Sequence, residues 1–196
     1  MYKSSKLLTG AVCCALACMV SVPVSASNVS DHNLLYDQNG ARNARYDGDA
    51  QPIMSSLPLG NSGSKSVKTP TGGTLKSDVW IGAVDTSGSY DYQVAAKYDK
   101  TDHQCIKTMW YGEVYGRNVE FNIGTGGISI GSNTERKETE RRYWENTKSQ
   151  QDASFRTNGY LCGQWQSVDM YNTASVWGNS LGAKPTEVQA HTQRSR

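Results

Sequence analysis

Nine residues from Tyr90 to Tyr98 alternate without a break: Tyr90, Tyr92, Val94, Ala96 and Tyr98 fall on one side of an extended chain, Asp91, Gln93, Ala95 and Lys97 on the other. A period of two over that length describes a half-buried β-strand and is incompatible with a helix, which would scatter the apolar positions around its axis. The period returns further on. Val119, Phe121 and Ile123 alternate with Glu120, Asn122 and Gly124, and Thr125-Gly-Gly127 then leads into Ile128-Ser-Ile130, which reads as a β-hairpin. Strand-like runs also cover Ser77 to Asp85, Gln104 to Tyr115, Ser154 to Arg156, Tyr160 to Tyr171 and Ala174 to Trp177, separated by Gly-, Asn- and Asp-rich turn text. Six or seven short strands with no sustained helical period predict an all-β fold, a small antiparallel sandwich or barrel.

One segment breaks the rhythm. Nine of the fourteen residues from Glu135 to Lys148 are charged, four acidic and five basic. A short exposed helix and a solvated strand extension fit this text equally well, and the interleaved signs argue against a basic patch.

The first 26 residues carry Lys3 and Lys6, an apolar run from Leu7 to Val22 and Val24-Ser25-Ala26, the anatomy of a cleaved signal peptide. Residues 27–76 are rich in Gly, Asn, Ser, Asp and Pro without periodicity, and read as a flexible leader or propeptide. The β domain is expected at 77–177, followed by a loose polar tail at 178–196. Asn28-Val29-Ser30 matches a glycosylation sequon, a pattern short enough to arise by chance.

Export changes both the charge and the cysteine count. Of 20 Lys+Arg, Lys3 and Lys6 leave with the signal, so 18 basic residues face 18 acidic ones. No global field then draws the chain to nucleic acid, and none is expected as a partner. Cys13, Cys14 and Cys18 leave as well, and Cys105 and Cys162 remain. Two cysteines in an oxidising compartment are expected to form a disulfide. Strand alternation puts both on the wetter faces of their strands and draws the core from Ile106, Trp110, Val114, Leu161 and Trp165.

The same alternation groups Tyr111, Tyr115, Tyr160, Gln164 and Gln166 as a candidate binding surface. The chain has 11 Tyr and 5 Trp against 2 Phe, and such side chains suit recognition because each carries an apolar ring and a polar tip. Catalytic text is thin. Asp102-His103-Gln104-Cys105 would need a reduced thiol in an oxidising compartment, a zinc site lacks ligands and spacing, and Glu113 and Glu120 lie on strand text with nothing marking them as a pair. No catalytic residue, metal or cofactor is expected. The first functional expectation is a secreted, non-enzymatic binding or effector protein, bacteriocin-like or toxin-like or a surface-binding module, whose partner is a cell-surface glycan, protein or membrane. A small carboxylate-dependent hydrolase and an envelope structural protein are the alternatives.

Overall fold

In a computed structural model, Ala44–Arg45 and residues 53–124, 127–147 and 151–196 are described. The expected signal peptide, the sequon and most of the expected leader lie outside the described residues.

Ten strands form one sheet: β1 (Ala44–Arg45), β2 (Gly60–Lys68), β3 (Thr74–Gly82), β4 (Ser89–Tyr98), β5 (Cys105–Ile123), β6 (Gly127–Ile130), β7 (Glu135–Glu138), β8 (Arg142–Thr147), β9 (Asp152–Trp177) and β10 (Thr186–Ser195). The main path runs β1-β8-β5-β9-β4-β3-β2; β10 pairs with β9, while β6 and β7 pair with β5. All pairings are antiparallel except that of β1 with β8. The all-β expectation therefore holds, with more strands than the six or seven expected and in one open sheet.

The sheet also runs past both expected boundaries of the domain. β2 pairs with β3 over residues assigned to the leader, and β10 pairs with β9 over residues assigned to the tail. Both are edge strands: β2 is Gly-, Ser- and Lys-rich and contributes only Val67 to the apolar packing, so backbone pairing rather than hydrophobic pattern specifies it, and β10 buries Val188, Ala190 and Thr192 from a mostly polar run.

The backbone of the fold is the pair β5 and β9, nineteen and twenty-six residues long. Gly116-Arg117-Asn118 and Asn158-Gly159 look like turns in the sequence, yet the strand continues through both, the first as a bulge. Gly159 serves close approach instead, since a Cβ there would come within 2.2 Å of the Tyr90 ring.

The pair does not stay straight. Phe155 of β9 stacks on Trp110 of β5 at 4.9 Å, although Trp110 is in register with Asn172, seventeen positions further along β9. Seventeen positions of straight strand would span roughly 56 Å. β9 and β5 therefore double back together, at a corner where the register slips between Tyr115/Gly116 and between Arg117/Val119. Gly163 sits there with φ +91°, and a Cβ on it would lie 1.8 Å from the Asn118 carbonyl oxygen; Asn118 itself has φ 48°. Only glycine fits the first position.

Folding the sheet over brings its inner faces together. Trp110, Val114, Tyr92, Phe121, Phe155, Leu161 and Met170 fill one cluster, and Leu75, Ala96, Ile106, Ala174 and Val176 a second. Between them lies a polar rung. Asn172, fully buried, donates from Nδ2 to the carbonyls of Asp78 and Ala95, each at 3.0 Å, while the Thr108 hydroxyl donates to its Oδ1 at 2.7 Å and the Ser77 hydroxyl to its backbone carbonyl at 2.7 Å. Three strands are thus tied to β9 at one buried amide, whose groups are all satisfied. The sheet's two edges also approach each other, with Asn61 Nδ2 of β2 donating to the Gln193 carbonyl of β10 at 2.6 Å.

The inner faces follow the alternation closely. Tyr90, Tyr92, Val94, Ala96 and Tyr98 are buried together, as are Ile106, Trp110, Val114 and Leu161, with Trp165 partly buried against the first cluster. The Val119–Ile123 hairpin forms with β6 as expected. The charged segment resolves as strands, β7 and β8, both paired to β5.

The disulfide is a correction. Cys105 and Cys162 are both free, at opposite ends of the β5 ladder: Cys105 pairs with Trp177, and Cys162 with Glu120, fifteen positions along β5. The corner lies between the two positions, and each cysteine is on the outward face of its own side of the folded sheet, so no bond joins them. Each cysteine does lie on the wetter face of its strand, but the strands pair in a register that keeps the thiols apart.

Candidate functional site

The register builds straight rows across the outer face formed by β8, β7, β5, the second half of β9, and β10. One row runs Glu145, Lys107, Ser175, Glu187; the next Tyr143, Met109, Thr173, Gln189; the next Tyr111, Tyr171, His191; then Glu138, Glu113, Asp169, Gln193. Side chains two positions apart along each strand point the same way, so these rows form a continuous surface.

Aromatic and charged groups concentrate at its centre. The Tyr111 and Tyr171 rings stack at 4.7 Å and 9°, and Tyr171 stacks on the His191 imidazole at 4.5 Å. The Arg141 guanidinium caps Tyr111 at 5.0 Å, and that of Arg136 lies over Tyr115 at 5.5 Å. Beneath this stack is the Asp169 carboxylate, its side chain only 4% exposed. His191 Nε2 lies 2.8 Å from Asp169 Oδ1, and Arg136 and Gln193 approach its other oxygen at 3.5 and 3.4 Å. Arg136 also pairs with Glu113. A buried carboxylate with three donors is held firmly, and it fixes the imidazole in turn.

Burial pushes the Tyr111 and Tyr171 phenols up, with Glu138 adding to the first and Asp169 to the second. Both stay protonated at neutral pH and present O–H groups. Each ring has both faces occupied, by its stacking neighbour and by Arg141 or His191. The arrangement therefore offers ring edges, hydroxyls and guanidinium groups rather than an open platform for a sugar ring.

The expected binding surface divides at the corner. Tyr111 and Tyr115 belong to this face. Tyr160 pairs with Asn122 beyond the corner, Gln164 with Arg117 at the corner, where Arg117 Nε donates to Gln164 Oε1 at 2.5 Å, and Gln166 is the extra residue that the register skips. The face is completed by Asp169, Tyr171, His191, Arg136 and Arg141, which the alternation does not group with Tyr111 and Tyr115. A single extra residue reverses which alternate positions face out: before the corner β9 turns Tyr160 and Cys162 outward, and after it Ser167, Asp169 and Tyr171. The run Asp169-Met-Tyr171 read with its own phase was the available signal.

The catalytic alternatives separate in space. His103 is buried edge-on against Tyr98 at 5.5 Å, Asp102 accepts from the Thr71 hydroxyl at 2.6 Å, and the Cys105 thiol faces Glu145. Burial, with Glu145 beside it, pushes the Cys105 thiol up to about 12, the reverse of an activated nucleophile. Glu113 and Glu120 stand on opposite sides of the corner, while Glu113 is brought instead to Asp169, its partner across the strands. Among the described residues no group of three His, Cys, Asp or Glu is placed to hold a metal.

No protein-family model matches the chain, and no curated protein matches it either.

Proposed function

We propose that the chain is a secreted binding or effector protein that acts outside the cell through the face centred on Tyr111, Tyr171 and His191. The observation that carries this reading is the ordered stack Arg141, Tyr111, Tyr171, His191 seated on the buried Asp169. Tyr and Arg are the side chains that dominate recognition hot spots, and here their conformations are set before any partner arrives, which lowers the ordering cost of binding. The test is saturable binding of the labelled, exported protein to a panel of bacterial and eukaryotic cells. Tyr171→Ala and Arg141→Glu are expected to weaken binding about tenfold or more; undiminished binding by both variants, with native circular dichroism, would sink this assignment.

The His191–Asp169 contact supports a second reading, a small hydrolase in which the carboxylate orients the imidazole as a general base with Glu113 alongside. Turnover of a glycan or peptide substrate that disappears in both His191→Ala and Glu113→Gln would favour it over the binding reading.

A further inference from the structure

On the opposite outer face, β3, β4 and the first half of β9 frame a groove of about 410 Å³, within the range of small-ligand sites. Its floor is the indole of Trp80, laid flat across β2 and β3 where Gly60 and Gly82 clear the space; a Cβ at those positions would come within 2.5 and 3.0 Å of the ring. Trp80 is 3% exposed, and its Nε1–H makes no hydrogen bond among the described residues. Asp85, Ser89, Asp91 and Asn158 line the walls, and Leu59, 93% exposed, forms a lip. Tyr160, 38% exposed, pairs with Ser89 beside the groove.

We propose that this groove binds a neutral saccharide, an inference that rests on reading the chain as an extracellular binding protein and gives that reading a ligand class and a second site. The walls are rich in acceptors, so the ligand must bring donors. Arg156 pairs with one oxygen of Asp91, and Asp85 Oδ1 accepts from the Ser87 amide, the Ser87 hydroxyl and the Ser89 amide at 2.6–2.9 Å, neutral donors that hold it as an anion. The second oxygens of Asp85 and Asp91 can accept from vicinal hydroxyls, and the apolar lip at Leu59 suits the C–H face of a pyranose. One carboxylate is paired with a guanidinium and the other is held by neutral donors, so a cationic peptide is the competing ligand, while an anion would meet like charge.

The experiment is titration of the purified full chain with a panel of neutral di- and tetrasaccharides, read by tryptophan fluorescence and calorimetry, with an oligolysine peptide as the competing probe. At least one saccharide is expected to bind saturably, with affinity lowered at least tenfold in Asp91→Asn and in Asn158→Ala and unchanged in Lys184→Ala. Asn158 is exposed, so its variant reports on the groove even if loss of the Arg156 partner disturbs Asp91→Asn. Absence of binding by every saccharide, binding that both groove variants retain, or preference for oligolysine would each overturn the proposal. Cell binding that remains sensitive to Tyr171→Ala in those cases would leave the wider reading intact, which separates the two failures.

Discussion

The same two strands, β5 and β9, behave differently on either side of their corner. Between Cys105 and Gly116, β5 joins rows three or four strands wide whose outward aromatics are sandwiched between neighbours. Beyond the corner, from Val119 to Ile123 against Gly159 to Gly163, the outward side chains are Glu120, Asn122, Tyr160 and Cys162, and Tyr160 is 38% exposed. The inward side chains are equally buried in both halves. What differs is the neighbours: Tyr160 is flanked by Asn122 and Ser89, and Glu120 by Ser129 and Cys162, side chains too small or polar to sandwich a ring, so Tyr160 is left for solvent or ligand. The first half is a preset surface; the second borders a groove.

The comparison is broken most severely at the corner. Gly163→Val places a side chain where φ is +91° and the Asn118 carbonyl leaves no room, and is expected to cost about 3 kcal/mol or more, seen as aggregation or a large fall in the denaturant midpoint. Native stability in that variant would show that the two halves do not depend on this bend. Next comes the buried rung that ties the halves' inner faces together. Asn172→Leu strands the Thr108 hydroxyl and the Asp78 and Ala95 carbonyls, with an expected loss of about 2–4 kcal/mol in chemical denaturation.

A sharper question is whether the outer stack in the first half serves folding or recognition. Tyr171→Ala is expected to cost about 1 kcal/mol of stability, from one stacked pair and modest burial, while reducing partner binding about tenfold. A stability loss of several kcal/mol with unaltered binding would recast the stack as scaffold.

The smallest effects concern the thiols, one in each half. Non-reducing mass spectrometry after alkylation in denaturant is expected to find Cys105 and Cys162 both free, and a linked pair would refute the β5–β9 register. Cys105 also carries a pH signature. Its folded thiol is raised above the unfolded value, so the stabilisation it contributes is complete below about pH 9 and is lost as pH rises towards about 12. Cys105→Ser is expected to flatten the alkaline limb of the stability profile by under about 1 kcal/mol, because the group is partly exposed.

Much of the fold was legible where one face of a strand is buried. The alternation in Tyr90–Tyr98 and in Ile106, Trp110 and Val114 selects the inward side chains, and each is buried accordingly. Legibility failed in three physical situations. The edge strand β2 is specified by backbone pairing and carries little hydrophobic pattern, while β10 turns Val188, Ala190 and Thr192 inward from text that is otherwise polar. Gly and Asn at 116–118 and 158–159 are used for bulging and close approach, and composition alone does not tell these from turns. The candidate site fell in the third situation, because its members come from β5, β7, β9 and β10 and from both phases of β9.

The sequence by itself determined an all-β chain and which side chains of most strands face inward, since a period of two and a shortage of helical patterning leave little choice. The tertiary structure decided what meets what. Pairing register placed Cys105 and Cys162 on either side of the corner with both thiols free, the extra residue in β9 turned Asp169 and Tyr171 outward, and the pairing of β10 with β9 brought His191 to Asp169. These are consequences of hydrogen-bond register and of one bend, and local sequence preferences do not encode them because every residue involved is equally content in a strand of either phase.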